Sequence, residues 1–292
     1  MGEQIRTRGQ IPPNSEIKSV SRAVILDGKE QIFVLNVRKN PNHPPANDDI
    51  LLGRKFKGRA ERLSSSFSLK SKMPPVLNQL TLGACVSNST CILLSYIYKK
   101  KRGKFYNGSR LFMYFNARGT DAIAESDPDQ IVEDLGLFII DGILATKNYG
   151  APEETTCPYE VDQFAYLPGS KAYARGQLHK TITYASLGNT VSDVTTIKLK
   201  LQKQLPVLMG IYLFENFYDS SVTDTGDIQL PAGDFVGGHA LVIVGWNDDT
   251  ERFIVQNSWG TSWGNAGFGT IPYDYVTDGS VCYDFLVVSD FR

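Results

Sequence analysis

The spacing of hydrophobic positions divides the chain into a helical first part and a strand-rich second part. Apolar residues at three- and four-residue steps predict a buried helix from Cys85 onward, followed by helices over 110–118 and 131–147. The period then shortens to two. It predicts strands over 179–185, 207–213, 239–246, 252–256, 267–271 and 283–288, with one amphipathic helix over 194–204. This order predicts an α+β protein, with a helical lobe (67–175), an antiparallel β-barrel lobe (176–292) and a cleft between them.

Residues 1–66 have a different character. They hold one strand-like segment over 31–37 and a turn region rich in proline and asparagine over 40–45. This is too little apolar material for an independent core, so we expect an N-terminal extension that lies over the main body. A solvated leader without a role is the alternative.

The composition excludes several classes of function. Hydrophobic residues make up 42% and charged residues 21%, and the formal net charge is -1, so nothing favours nucleic acid or a membrane surface as a partner. The first residues lack the apolar core of a secretory signal, and no apolar stretch reaches the roughly 18 residues of a membrane span. Without CxxC or HExxH motifs, the sequence predicts no metal and no cofactor.

Cys85 is the first candidate for chemistry. It stands where the predicted helix begins, and the positive end of a helix dipole favours a thiolate over a thiol. Gln79, shortly before it, could donate its side-chain amide to a developing oxyanion. A small buried cysteine with no chemistry is the competing interpretation.

A second candidate group lies near the C-terminus. Of the three histidines, His43 and His179 are expected at the surface, whereas His239 follows a glycine pair and is expected to open a strand. Asn257 ends the next strand. A cysteine nucleophile needs a base, and the base needs an acceptor on its other ring nitrogen, so the two neighbouring strands would place His239 beside Asn257.

Taken together, these pieces resemble the papain-like cysteine peptidases. The matching residues are Gln79 through Cys85, then Gly238-His239-Ala240, and last Asn257-Ser258-Trp259-Gly260 with the Trp-Gly and Gly-Phe pairs that follow. The resemblance spans about 67–288. It implies a two-lobe fold with the substrate groove between the lobes, and a cysteine endopeptidase that acts on a protein or peptide substrate.

The resemblance also implies a role for each matching residue. Cys85 would be the nucleophile, His239 the general base and acid, and Asn257 the residue that orients the imidazole. Gln79 would form the oxyanion hole with the backbone N–H of Cys85. Trp259 would shield the bond between His239 and Asn257.

Several features depart from the common family pattern. The run Leu82-Gly83-Ala84-Cys85-Val86 lacks the usual structural cysteine and tryptophan, which places the chain in a disulfide-poor branch known from prokaryotes and large DNA viruses. The pairing of Cys157 with Cys282 stays open. We expect a cytoplasmic location or packaging in a virion, and a monomer.

The groove can be assigned only in part. Gly136, at the start of the predicted third helix, is the candidate for pairing with the substrate backbone. Gly238 would leave the pocket for the substrate's second residue open, so an apolar side chain is expected there. Residues 1–66 fall where the family carries an inhibitory propeptide, and 31–37 is the segment expected to block the groove in the reversed direction.

Two alternatives to hydrolysis stay open. One is a catalytically silent peptide-binding module on the same fold, and the other is acyl transfer to an amine, as in a transamidase or isopeptidase. The second uses the same residues, so the sequence does not separate it from hydrolysis.

Overall fold

The structure is a computed structural model, and it describes residues 7–13, 16–17, 19–46, 63–125 and 129–292. The helices are α1 (Cys85–Arg102), α2 (Arg110–Glu125), α3 (Asp129–Val132), α4 (Ile139–Asn148), α5 (Ser170–Gly176), α6 (Val194–Gln202), α7 (Ser220–Thr225) and α8 (Tyr273–Thr277). The strands are β1 (Val20–Leu26), β2 (Lys29–Leu35), β3 (Ser66–Ser68), β4 (Thr181–Gly188), β5 (Val207–Phe214), β6 (Phe235–Asn247), β7 (Arg252–Gln256), β8 (Phe268–Pro272) and β9 (Cys282–Phe291).

Helix α1 is the central helix, and it begins at Cys85 as the sequence predicts. Every residue from Cys85 to Ile97 is buried. The helix ends at Gly103, whose φ of 76° lies in the left-handed region that glycine adopts without strain. Its last turn is basic, and the helix dipole favours positive charge there.

The strands of the second half form one antiparallel sheet. Hydrogen bonding connects them in the order β4-β9-β5-β6-β7-β8, and the short β3 pairs with β6. The α+β class is therefore confirmed, while the predicted barrel describes these strands only loosely. The hydroxyl of Ser89 in α1 donates to the carbonyl of Ala240 in β6 at 3.3 Å, which fixes the helix of Cys85 against the strand that carries His239.

The N-terminal residues form a β-hairpin that sequence reasoning did not find in full. Strands β1 and β2 pair antiparallel from Val20 with Leu35 to Leu26 with Lys29. Asp27 and Gly28 connect them, and both have positive φ (51° and 70°), as a type I′ turn requires. This Asp-Gly pair was the overlooked signal.

The helix predicted over 131–147 is confirmed only in its second half. Helix α3 ends at Val132, and α4 begins only at Ile139. Between them Gly136 has a φ of 76°, so the chain leaves the helical conformation, and Phe138 is extended. Helix α2, by contrast, runs further than the predicted 118.

The remaining predictions about organisation stay predictions. The boundaries at 66 and 175 are among them, and part of the N-terminal extension lies outside the described residues. Within the described ranges, no helix is both long enough and apolar enough to cross a lipid bilayer.

Candidate active site

His239 lies inside a strand rather than at its start, so that prediction is wrong. Strand β6 begins at Phe235 because the glycine pair before His239 also takes part in the ladder, with Gly238 opposite Tyr212. The other neighbour, β7, ends at Gln256 opposite Val242. The edge of β6 is therefore open on that side near His239, and the chain after β7 turns there.

Asn257 occupies this open edge. Its Oδ1 lies 2.8 Å from Nε2 of His239. The same oxygen accepts the backbone N–H of Ser258 at 2.8 Å, so it acts as an acceptor, and Nε2 of His239 is the donor. The other ring nitrogen, Nδ1, then carries a lone pair. It is buried and has no hydrogen-bond partner among the described residues, so it is free to accept a proton.

The Cys85 thiol contacts the strand that carries this histidine. The backbone N–H of Ala240, the residue after His239, forms a hydrogen bond to the Cys85 sulfur that favours the thiolate. Both Cys85 and His239 are completely buried. Ala240 therefore connects the backbone beside His239 to the Cys85 sulfur.

Burial opposes the charged form of both groups. Loss of water raises the pKa of Cys85 to about 12, and it lowers the pKa of His239 to about 4 despite the bond to Asn257. The helix terminus at Cys85 favours a thiolate, but desolvation has the larger effect here. The expectation that Cys85 is activated as a thiolate stays a prediction.

Gln79 is buried and tightly held. Its Nε2 donates to the carbonyl oxygens of Leu82 (3.1 Å) and Val34 (3.3 Å). The hydroxyl of Ser258 donates to its Oε1 at 2.8 Å, and its backbone N–H bonds the Ser258 carbonyl. Ser258 thus orients the Gln79 amide. Sequence reasoning gave Ser258 no role, although its place beside Asn257 was a signal for one.

Trp259 covers the histidine. Its ring centroid lies 5.1 Å from that of His239, and its side chain is fully buried. Phe217 packs against it edge to face, and Phe33 of the hairpin stacks on it at 4.5 Å with an interplanar angle of 11°. The indole therefore separates His239 from solvent, and it also receives the N-terminal hairpin.

Residues 33–38 fill the space beside these groups. The backbone N–H of Val37 donates to the carbonyl of Gly238 at 3.1 Å. A Cβ added at Gly238 would lie 1.6 Å from the Val37 carbonyl oxygen, and one added at Gly136 would lie 2.3 Å from Cγ of Asn36. The two glycines thus line opposite sides of one passage, and the N-terminal segment occupies it.

The segment is then held beyond the passage. The backbone N–H of Asn40 donates to Asp284 at 2.9 Å. His43 contacts Asp284 through Nδ1 at 3.2 Å and Ser186 through Nε2 at 2.9 Å, with its side chain completely buried. The expected surface position of His43 is therefore wrong, because the extension packs it against β4 and β9. His179 is half-buried against Tyr106.

All four cysteines are free thiols. Cys157 and Cys282 therefore do not form a disulfide in this structure. Cys91 is buried in the core, and its thiol donates to the carbonyl of Gly108 at 3.4 Å.

Comparisons with known proteins identify the family. The model of the papain family cysteine proteases matches residues 138–281, a range that includes His239 and Asn257 but starts after Cys85. The chain is 32% identical over 222 residues to an uncharacterised peptidase C1-like protein of Acanthamoeba polyphaga mimivirus, covering 73% of this chain and 69% of that protein. The chain belongs to the papain family of cysteine proteases, and the resemblance drawn from its motifs is confirmed.

More distant relatives agree. Cathepsin B-like cysteine proteinase 3 of Caenorhabditis elegans is 24% identical over 71% of this chain, which spans 61% of that protein's length. Xylellain, a cysteine protease from Xylella fastidiosa, has the same fold with a TM-score of 0.70 at 22% identity, over 100% of both chains. Procathepsin B of Trypanosoma congolense has a TM-score of 0.62 at 17% identity, over 87% of this chain and 85% of that one.

Proposed function

We propose that this protein is a cysteine endopeptidase that hydrolyses peptide bonds through a thioester acyl-enzyme. The observation that carries the proposal is the pairing of His239 with Asn257 at 2.8 Å, beside a cysteine at the start of a buried helix. A cysteine nucleophile, a histidine base and an acceptor that orients the histidine are the three groups that such a reaction needs. No metal or cofactor takes part in the proposed reaction.

Each step uses a group already described. The lone pair on Nδ1 of His239 accepts the Cys85 proton as the sulfur attacks the peptide carbonyl. The oxyanion receives the Gln79 amide and the backbone N–H of Cys85. His239 then gives the proton to the departing amine, and water hydrolyses the thioester with His239 as the base. Asn257 holds the ring throughout.

We further propose that the chain described here is an autoinhibited precursor. Phe33 stacks on Trp259, the Val34 carbonyl binds the Gln79 amide, and the Val37 N–H binds Gly238. These contacts use the residues proposed for catalysis and substrate binding. A peptide substrate needs the same contacts, so it can enter only after the segment leaves or is cut.

The order of contacts supports a reversed direction for the segment. From N- to C-terminus it meets Trp259 first, Gln79 next and the glycine passage last. A substrate in this family runs the other way. Reversal moves the segment's own peptide bonds out of register with Cys85, which explains how the segment binds without being hydrolysed.

One observation favours the alternative of a catalytically silent binding module, because the N-terminal segment fills the groove in this structure. Against it stands the complete set of Gln79, Cys85, His239 and Asn257, which a scaffold does not need. Acyl transfer to an amine uses the same four residues. Product analysis with an added amine acceptor separates transfer from hydrolysis.

The experiment opens the passage in the full-length chain. Val37→Pro removes the N–H that donates to Gly238 and keeps an extended backbone at that position. We expect Cys85 alkylation by iodoacetamide to accelerate at least about tenfold, as loss of one buried hydrogen bond and its packing implies. Cleavage of a mixed peptide library should begin at the same time.

Two controls accompany this measurement. Adding Cys85→Ala to the Val37→Pro chain should abolish both labelling and cleavage. Ile32→Ala, at a neighbouring side chain that is 44% exposed, should leave both unchanged. A Val37→Pro chain that labels rapidly but cleaves nothing would favour the silent module, and cleavage that survives Cys85→Ala would reject the nucleophile.

A further inference from the structure

The pocket between Gly83 and Gly136 holds the Asn36 side chain. A Cβ added at Gly83 would lie 1.8 Å from Nδ2 of Asn36, and one added at Gly136 would lie 2.3 Å from its Cγ. Asn36 is only 1% exposed. Both walls are therefore open only because they are glycines, and a side chain fills the space that their missing Cβ atoms leave.

Asp134 forms the polar wall of this pocket. Nδ2 of Asn36 donates to its backbone carbonyl at 3.2 Å and approaches its carboxylate Oδ1 at 3.4 Å. The Oδ1 of Asn36 is buried and has no hydrogen-bond partner among the described residues. The pocket thus provides hydrogen-bond acceptors for the Asn36 amide nitrogen, and no described residue donates to the Asn36 amide oxygen.

The Asp134 carboxylate is fixed from behind. The backbone N–H of Gly83 donates to Oδ2 at 2.8 Å, and the Tyr114 hydroxyl donates to Oδ1. The backbone N–H of Gly136 donates to that same hydroxyl at 3.2 Å. Asp134 therefore connects the loop before Cys85 to the loop of Gly136, and both pocket walls depend on it.

The position of the pocket relates it to substrate. The main chain of the segment contacts Gln79 through Val34 and Gly238 through Val37, and Asn36 lies between these contacts. Gly83 stands two residues before the proposed nucleophile. A substrate whose backbone reaches the same groups places the side chain next to the cut bond in the same pocket.

We propose that Asp134 is a specificity-determining residue, which makes this pocket select a substrate side chain with N–H donors at the residue whose carbonyl is attacked. Asparagine fits the observed contacts, apolar side chains leave the acceptors unpaired, and a carboxylate meets Asp134 with like charge. The inference rests on the proposed peptidase function. This pocket for the residue whose carbonyl is attacked is distinct from the pocket beside Gly238, which is expected to hold the substrate's second residue.

A tethered test uses the extension itself as the ligand. The rate of Cys85 alkylation by iodoacetamide should increase from the wild type, which has Asn36, to Asn36→Leu and then to Asn36→Asp. The aspartate variant should be roughly ten- to a hundredfold faster than wild type, the range expected for losing a hydrogen bond to a charged group and adding repulsion. Asp134→Asn should bring the rate of the Asn36→Asp chain back toward that of wild type.

A substrate test uses the opened Val37→Pro chain. Fluorogenic peptides that differ only in Asn, Leu or Asp before the cut bond should be cleaved in that order of kcat/KM, with Asn over Asp by at least about tenfold. Asp134→Asn should reduce this ratio to about threefold or less. Glu133→Gln makes the same charge change one residue away, at an exposed side chain, and should keep the ratio.

The outcomes separate the two proposals. If no peptide is cleaved although Cys85 labels, the peptidase function fails. If peptides are cleaved but Asp is accepted as well as Asn in the wild-type pocket, the specificity inference fails alone. The Asn36 labelling series needs no change at Asp134, so it remains decisive even if Asp134→Asn does not fold. Equal rates across that series would overturn the inference.

Discussion

The side-chain amide of Gln79 donates to the backbone carbonyl of Val34 at 3.3 Å. The group proposed to stabilise the reaction's oxyanion thus already holds a carbonyl of the same chain. Ser258 fixes the other end of that amide at 2.8 Å, so its direction does not depend on the segment. The Gln79 amide N–H that binds the Val34 carbonyl here is therefore the same donor that is proposed to bind the oxyanion.

Gln79→Ala should consequently have opposite effects in the two forms of the chain. In the chain with Val37 unchanged, the substitution removes a hydrogen bond to the N-terminal segment, so Cys85 should be alkylated faster. In the Val37→Pro chain it removes an oxyanion donor, so kcat should fall by roughly 10²- to 10³-fold. Both rates are measured on the same preparations. An unchanged kcat would remove Gln79 from the proposed mechanism.

Asn257→Ala should slow hydrolysis less than Cys85→Ala does. The imidazole loses the acceptor on Nε2 but stays packed under Trp259, so part of its orientation survives. We expect a loss of roughly 10²-fold in kcat/KM in the opened chain, the lower end of what general acid–base catalysis contributes. Asn265→Ala, at an exposed asparagine of the following loop, serves as the matched control. A loss equal to that of Cys85→Ala would give Asn257 more than an orienting role.

Phe33→Ala should release the segment from Trp259. Burying a phenylalanine contributes about 1.5–3 kcal/mol, so its loss shifts the docking equilibrium by roughly ten- to a hundredfold. The measurement is the rate of Cys85 alkylation in the full-length chain, together with the fluorescence of the tryptophans. Ile25→Ala, at a 57% exposed position on the paired strand, should leave both signals unchanged. A labelling rate that does not respond to Phe33→Ala would show that the stack contributes nothing to closure.

The contact between His43 and Asp284 predicts a compensated pH dependence. Burial raises the pKa of Asp284 to about 7 and lowers the pKa of His43 to about 4. In the released state, with water around both, they return to about 3.9 and 6.5. Because the docked state raises the pKa of Asp284, docking weakens as pH rises from about 4 to 7. Because the docked state lowers the pKa of His43, docking also weakens as pH falls from about 6.5 to 4. The two slopes cancel over most of this range.

Removing one partner should expose the slope of the other. In the His43→Ala chain, docking should weaken as pH rises from about 4 to 7, so Cys85 becomes more accessible toward neutral pH. In the Asp284→Asn chain, docking should weaken as pH falls from about 6.5 to 4. Each slope can reach tenfold per pH unit. Limited proteolysis of the segment at a series of pH values measures it, and slopes of the same sign would contradict the pairing.

The local pattern of the sequence determined much of this protein. The apolar period placed the start of α1 at Cys85, because an uninterrupted run at helical spacing has few alternatives. The motif around Asn257 indicated the family and, together with His239, predicted the candidate catalytic group. The same reasoning failed between 133 and 138, which it predicted to be helical. There Gly136 has a left-handed backbone that interrupts the helix, and it packs against Asn36 of the N-terminal segment.

Only the tertiary structure decided how these residues are used. No local pattern could tell that Asn36 lies between Gly83 and Gly136, or that His43 is buried against Asp284, since each contact joins segments far apart in the chain. The same holds for the direction in which the pKa of the Cys85 thiol is shifted. The helix terminus predicted from the sequence favours a thiolate, but the folded structure buries the sulfur, and the loss of water raises its pKa more than the helix terminus lowers it.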